Sequence, residues 1–241
     1  MKKVTSAALL AIKLTWKTVL LIFALTAGVQ VFAVWQNLMP GGVPLQAAFG
    51  FETMLRSAVQ PHGRWLTVML MALLVATGAS GKGSKTTYTM NRLGLSENHM
   101  TLVFGAVFTG YFLLYWAFQL LLIYAFFVWY SQFSLVSSNA FMLSCWRSEW
   151  LHTLLPLGEW WNYLRNLVIC GSFGLCSAFA SQQGRRGKVP LTWFAAPVLC
   201  AFLLNGRVGS FGQDIGLMLL LTAFTVGYWF VLKGGREDED L

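Results

Sequence analysis

Few side chains in this 241-residue chain are equipped for chemistry. The richest stretch, Gly78 to Leu93, reads GASGKGSKTTYTMNRL and follows the hydrocarbon run LTVMLMALLVAT. A phosphate-cradling loop needs G-x-x-x-x-G-K-[ST], so that backbone amides wrap the phosphates and a hydroxyl holds magnesium. Here Gly81-Lys82 is followed by Gly83, Ala76 stands where the first glycine belongs, and no strand pattern precedes. That spacing excludes an ATP site of this kind. Ser80, in Gly-x-Ser-Gly, is a candidate nucleophile, and such a serine needs a base held at its own depth. The three histidines are His62, His99 and His152, and only His99 falls on the same expected side as Ser80. Cys170, Cys176 and Cys200 sit in apolar segments, Cys145 is alone in a loop, and no CxxC or His/Cys cluster marks a zinc site.

The elements that position these residues are set by the solvent. The chain is 56% hydrophobic and 11% charged, with a mean hydropathy of +0.60. So few charges cannot cover the surface of a soluble domain of this length, so the solvent for most of it is lipid. The sequence predicts an all-α membrane protein, a single domain over 1–241, with six spans near 18–38, 64–80, 100–130, 163–182, 191–205 and 214–232. The N-terminal run is long enough to be kept as the first span rather than removed as a signal peptide. With the N-terminus inside, twelve of the seventeen basic residues fall in inner segments, among them Lys2, Lys3, Lys82, Lys85, Arg92, Arg185 and Arg186. This places both termini in the cytoplasm. The net charge of +8 then marks inner loops and not a nucleic-acid partner.

Two segments read as amphipathic. Residues 5–18 carry Lys13 and Lys17 beside Leu9, Leu10, Ile12 and Trp16, which suits an interfacial helix turning into the first span. Residues 131–162 hold Arg147, Glu149, His152 and Glu159 among Trp146, Trp150, Trp160 and Trp161, an outer interfacial belt broken at Pro156 and Gly158. The acidic end 233–241 reads as a solvated, disordered tail. The spans lack ionisable residues near their middles, so uphill transport would take its energy from another subunit. Gln30, Gln119 and Asn205 read as glue between helices. Arg165 and Asp214, at outer helix ends, either pair or stand separately.

The loop 81–99 is more definite. Ser84 to Leu93 forms a short helix with Tyr88 and Arg92 one turn apart, as are Thr89 and Leu93. Gly94 stops it in the left-handed conformation, and Ser96 caps the third span with Glu97 in its first turn. A knob is thereby presented to the cytoplasm. The segment KTTYTMNRLGLSENHMTLVFGAVFTGYFLLYWAFQ resembles the permeases of ATP-binding-cassette exporters, the ABC-two or type V class, through Arg92-Leu93-Gly94-Leu95-Ser96.

That resemblance implies a surface helix before six spans, and a coupling helix between spans two and three. It also implies a second permease chain, identical or related, and a separate cytoplasmic ATPase that carries ATP and magnesium. The docking residues would be Lys85, Tyr88, Thr89, Arg92, Leu93 and Leu95, with no catalytic residue, cofactor or metal in this chain. The expected location is the bacterial cytoplasmic membrane, as a multi-pass protein among lipid. One departure is that the longest outer segment lies between spans three and four, where family members often enlarge the connection between five and six. Gly-x-Ser-Gly beside a membrane helix also resembles the rhomboid proteases, which implies Ser80 as nucleophile, although no later span carries the histidine of that pattern. A non-transporting membrane scaffold or sensor is a third alternative.

Overall fold

The computed structural model describes residues 2–38, 50–58, 61–80, 88–90, 92–132, 139–158, 160–187 and 211–234. Its helices are α1 (Lys2–Leu38), α2 (Phe51–Ala58), α3 (Pro61–Ala79), α4 (Glu97–Ser131), α5 (Ala140–Arg147), α6 (Glu149–Leu154), α7 (Trp160–Arg185) and α8 (Phe211–Gly234). No strand occurs among the described residues. Among the described residues, three helical stretches are long and apolar enough to cross a membrane: Lys3–Leu38, Glu97–Ser131 and Trp160–Arg185. Shorter apolar stretches, Leu66–Ala79 and Asp214–Phe230, lie in α3 and α8. The expected span at 191–205, with Cys200 and Asn205, falls outside the described residues, as do Lys85 and 235–241.

The sequence separates a surface helix over 5–18 from the first span, and here the structure differs. Lys2 to Leu38 is one uninterrupted helix of 37 residues, about 55 Å long at about 1.5 Å per residue. No proline or glycine precedes Gly28, so nothing local breaks it. Its first turns are also held inside the bundle: Ala7, Ala11 and Thr15 are fully buried, and Thr15 Oγ1 lies 3.1 Å from the Tyr111 hydroxyl. Lys13 and Lys17 stay on the exposed side, with Lys17 Nζ 5.9 Å from the Trp16 ring centroid.

Pair contacts fix the direction of each helix. Thr15 meets Tyr111 and Gln30 meets Gln119, so α1 and α4 are parallel. Gly78, near the end of α3, lies against Leu14 and Thr15, so α3 returns alongside α1. Thr101 meets Gln182 and Arg186 meets Glu97, which makes α7 antiparallel to α4. Arg165 meets Asp214 and Ser172 meets Thr225, which makes α8 parallel to α7. One end of the bundle, the foot, therefore gathers Lys3, Ser80, Ser96, Arg185 and the end of α8. The opposite end is the head.

The most extensive helix interface is α4 on α7. Lipid tails are as apolar as leucine, so helices in a membrane associate by close packing and polar contacts and not by escape from water. Phe104, Phe108, Phe112, Phe173 and Phe179 fill the buried cluster along this interface. Two glycines let the helices touch. A Cβ on Gly174 would lie 2.5 Å from the backbone nitrogen of Thr109, and one on Gly105 would lie 2.6 Å from Leu175 Cδ2.

Within the segment 131–162, the described residues 139–158 form the cap of the head. Its helices α5 and α6 place Cys145, Leu151 and Leu154 in a second buried cluster with Val34 and Leu38 of α1, Phe51, Met54 and Leu55 of α2, and Ile123, Phe126 and Tyr130 of α4. Trp116 donates its indole N–H to the Leu154 carbonyl at 3.0 Å. The break before α7 lies at Pro156 and Gly158, the latter with φ of +84°. Helix α2 has no counterpart in the sequence expectations; it docks through Phe51 against Phe127 and Tyr130.

Burial raises the Cys145 thiol to about 11. Only the thiolate reacts with alkylating reagents, so at pH 8 nearly all of this cysteine is inert. Peptide-level mass spectrometry after iodoacetamide pulses should show a Cys145 rate that climbs about tenfold per pH unit up to about pH 11, as expected for a single titrating thiol. A plateau at pH 9 would contradict the burial described here.

Candidate functional site

The knob between α3 and α4 is built from the residues that stop one helix and start the next. Tyr88 to Met90 and Arg92 are helical, and the Leu93 N–H donates to the Met90 carbonyl at 3.2 Å. Gly94 has φ of +58°, a conformation that costs a glycine little and a Cβ-bearing residue more. Ser96 then caps α4 from an extended backbone, accepting the His99 N–H at 3.4 Å, with its Oγ 2.6 Å from His99 Nδ1. Glu97 occupies the first turn and pairs with Arg186 at 2.8 Å. The cap, the glycine stop and the acidic first turn stand where the sequence puts them.

The structure divides the docking candidates into an outward and an inward set. Tyr88 is 67% exposed, and Thr89 and Arg92 are exposed beside it. Leu93 packs against the buried cluster, and Leu95 is half-buried. Leu93 is therefore part of the footing. Lys85 lies outside the described residues.

Two footing residues escape the sequence reading. Met90 is buried, and Arg185 of α7 donates toward its sulfur at 3.5 Å while its guanidinium sits 5.7 Å from the Phe104 ring centroid. The signal for Met90 was present, since Met90 and Leu93 are three apart and form an inward stripe on a short helix. Arg185 and Arg186 read only as markers of an inner loop. In the folded chain they tie α7 to the knob and to the start of α4.

The serine chemistry has a plainer local explanation. Ser80 is 6% exposed, donates its hydroxyl to the Thr77 carbonyl at 2.6 Å, and packs against Gly184. His99 faces Ser96. Among the described residues no group of three or more His, Cys, Asp or Glu side chains is placed to hold a metal ion.

Two polar contacts within the bundle complete the picture. Gln30 Nε2 donates to Gln119 Oε1 at 3.1 Å, joining α1 to α4. Arg165 and Asp214 do pair, at 3.0 Å, with side chains 5% and 4% exposed. Comparison of the chain with family models, curated proteins and solved structures finds no match.

Proposed function

We propose that this chain is the membrane subunit of a bacterial ATP-binding-cassette exporter, driven by a separate ATPase that grips the knob. The observation that carries the reading is the knob itself. It has an exposed aromatic and an exposed cation, Tyr88 and Arg92, on a short helix whose other side is footed on α7 and capped directly into α4. Force applied there enters a 35-residue helix that reaches the head. Such a helix transmits a push as a rigid-body tilt.

In this reading the foot faces the cytoplasm, and the chain crosses the bacterial inner membrane six times with both termini inside. Support comes from α7 and α8. They run parallel, and a fifth span over 191–205 is consistent with that arrangement. From Arg165 to Arg185 is about 30 Å of helix, the thickness of a bilayer's hydrocarbon core. A second permease chain completes the translocation path, and ATP and magnesium reside on the ATPase.

The test is a mild-detergent pull-down of the tagged chain from its native membranes, with partners identified by mass spectrometry. A soluble protein with a Walker-type ATP site should be recovered with wild type, and its yield should fall at least tenfold in a Tyr88→Ala, Arg92→Glu double variant. Leu93 stays unchanged because it packs inward. Recovery of no such ATPase, or equal recovery with the variant, would sink the reading.

A further inference from the structure

The interface of α4 and α7 is not uniform along its length. Midway, Gly174 lies against the backbone of Thr109, and Gly105 against Leu175, which leaves no slack between the helices. Towards the foot the same interface turns polar and poorly bonded. Ser181 and Gln182 are 0% and 1% exposed, yet Ser181 Oγ and Gln182 Nε2 have no hydrogen-bond partner among the described residues. Arg185 Nη2, one turn on, has none either.

The glutamine cannot be rescued by reassignment. Thr101 Oγ1 lies 3.1 Å from Gln182 Oε1 and 2.9 Å from the Glu97 carbonyl, and its single proton serves one of them. Turning the amide over lets Nε2 donate to Thr101, and the glutamine oxygen is then left over. Across the seam the described partners of Arg185 are a sulfur, a ring and the nearby charge of Glu97, and the ion pair of Arg186 with Glu97 is a quarter exposed on each side. Behind α7 the contact is firm, since a Cβ on Gly184 would meet Ser80 Cβ at 3.0 Å. Helix α3 is thus held on α7, and the weak seam is the one facing α4.

Buried donors and acceptors without partners favour any state in which water reaches them. We propose that α4 separates from α7 at the foot, pivoting about the Gly105–Gly174 crossing, so that Ser181, Gln182 and Arg185 alternate between a closed seam that shields them and a hydrated open one. The opening is a property of this chain alone. Only its further use, as the motion that a partner on the knob would bias, rests on the exporter reading.

Amide hydrogen exchange of the purified full-length chain in lipid nanodiscs tests it without any ATPase. Peptides from 97–104 and 177–184 should exchange together, at least tenfold faster than peptides around 105–112 and 168–175. Fraying of the end of α7 and of the first turn of α4 would speed each peptide without regard to the seam, so both would be unchanged in the variant that follows, and that outcome overturns the proposal. A Ser181→Ala, Gln182→Leu double variant removes the unbonded groups and should slow both foot peptides at least tenfold while leaving the crossing unchanged. If the double variant does not fold, Ser181→Ala alone should slow both in the same sense, and no change in either peptide counts against the seam. A failed ATPase pull-down with the exchange pattern intact would leave the seam standing, and the reverse would leave the docking reading standing.

Discussion

Gly174→Ala is expected to destabilise the bundle by about 3 kcal/mol, at the upper end of what overpacking costs. The added methyl would sit 2.5 Å from the nitrogen and 2.7 Å from the Cα of Thr109, both backbone atoms of a packed helix. Neither can move unless α4 and α7 separate along their main contact. The loss is net of the roughly 1 kcal/mol by which alanine outperforms glycine inside a helix. Gly105→Ala is the internal control. Its methyl would meet the end of the Leu175 side chain at 2.6 Å, and a leucine can change rotamer, so its cost should stay near or below about 1 kcal/mol. Detergent-based equilibrium unfolding of the two variants checks the pair. Equal stability of both would mean that the crossing does not hold the helices together.

The second large effect lies at the head. Asp214→Ala should cost about 3–5 kcal/mol, because it leaves the buried Arg165 guanidinium without a counter-charge. The same unfolding assay should show that Arg165→Met combined with Asp214→Leu recovers most of the loss, since apolar replacement of a whole buried pair is often neutral or better. A double variant as unstable as Asp214→Ala would place the worth of these residues in contacts other than their own bond. The pair joins α7 to α8, so the loss should appear first as detachment of α8, whose main packing partner is α7.

Much of the local structure was legible in the chain because it is set by neighbours in sequence. Gly94, Ser96 and Glu97 specify the stop and start between α3 and α4 from within a few residues. The span expectations at 64–80, 100–130, 163–182 and 214–232 lie within one or two residues of α3, α4, α7 and α8 or inside them. The long-range partners were not legible. Arg165 and Asp214 are 49 residues apart in sequence, and either pairing or separation fits the sequence. A glycine in an apolar run says that something comes close, and only the fold says that it is Thr109. The expected turn near residue 18 failed for a similar reason. Lys13 and Lys17 are compatible with a surface helix, but Ala7, Ala11 and Thr15 were small inward-facing residues awaiting neighbours that the sequence does not name. The division of the knob into outward Tyr88, Thr89 and Arg92 and inward Met90 and Leu93 likewise depends on α7.

The Gln30–Gln119 contact has a consequence for how the two longest helices are indexed. Parallel apolar rods tens of ångströms long can fit one another at several offsets a turn apart, since one aliphatic groove resembles the next. An amide in each rod removes that degeneracy. Sliding α1 along α4 by one turn, about 5.4 Å, would break the bond between Gln30 Nε2 and Gln119 Oε1 while both side chains stay buried. The pair therefore acts as a detent: α1 and α4 can tilt as a unit, but they cannot be displaced past each other by less than the force that breaks it.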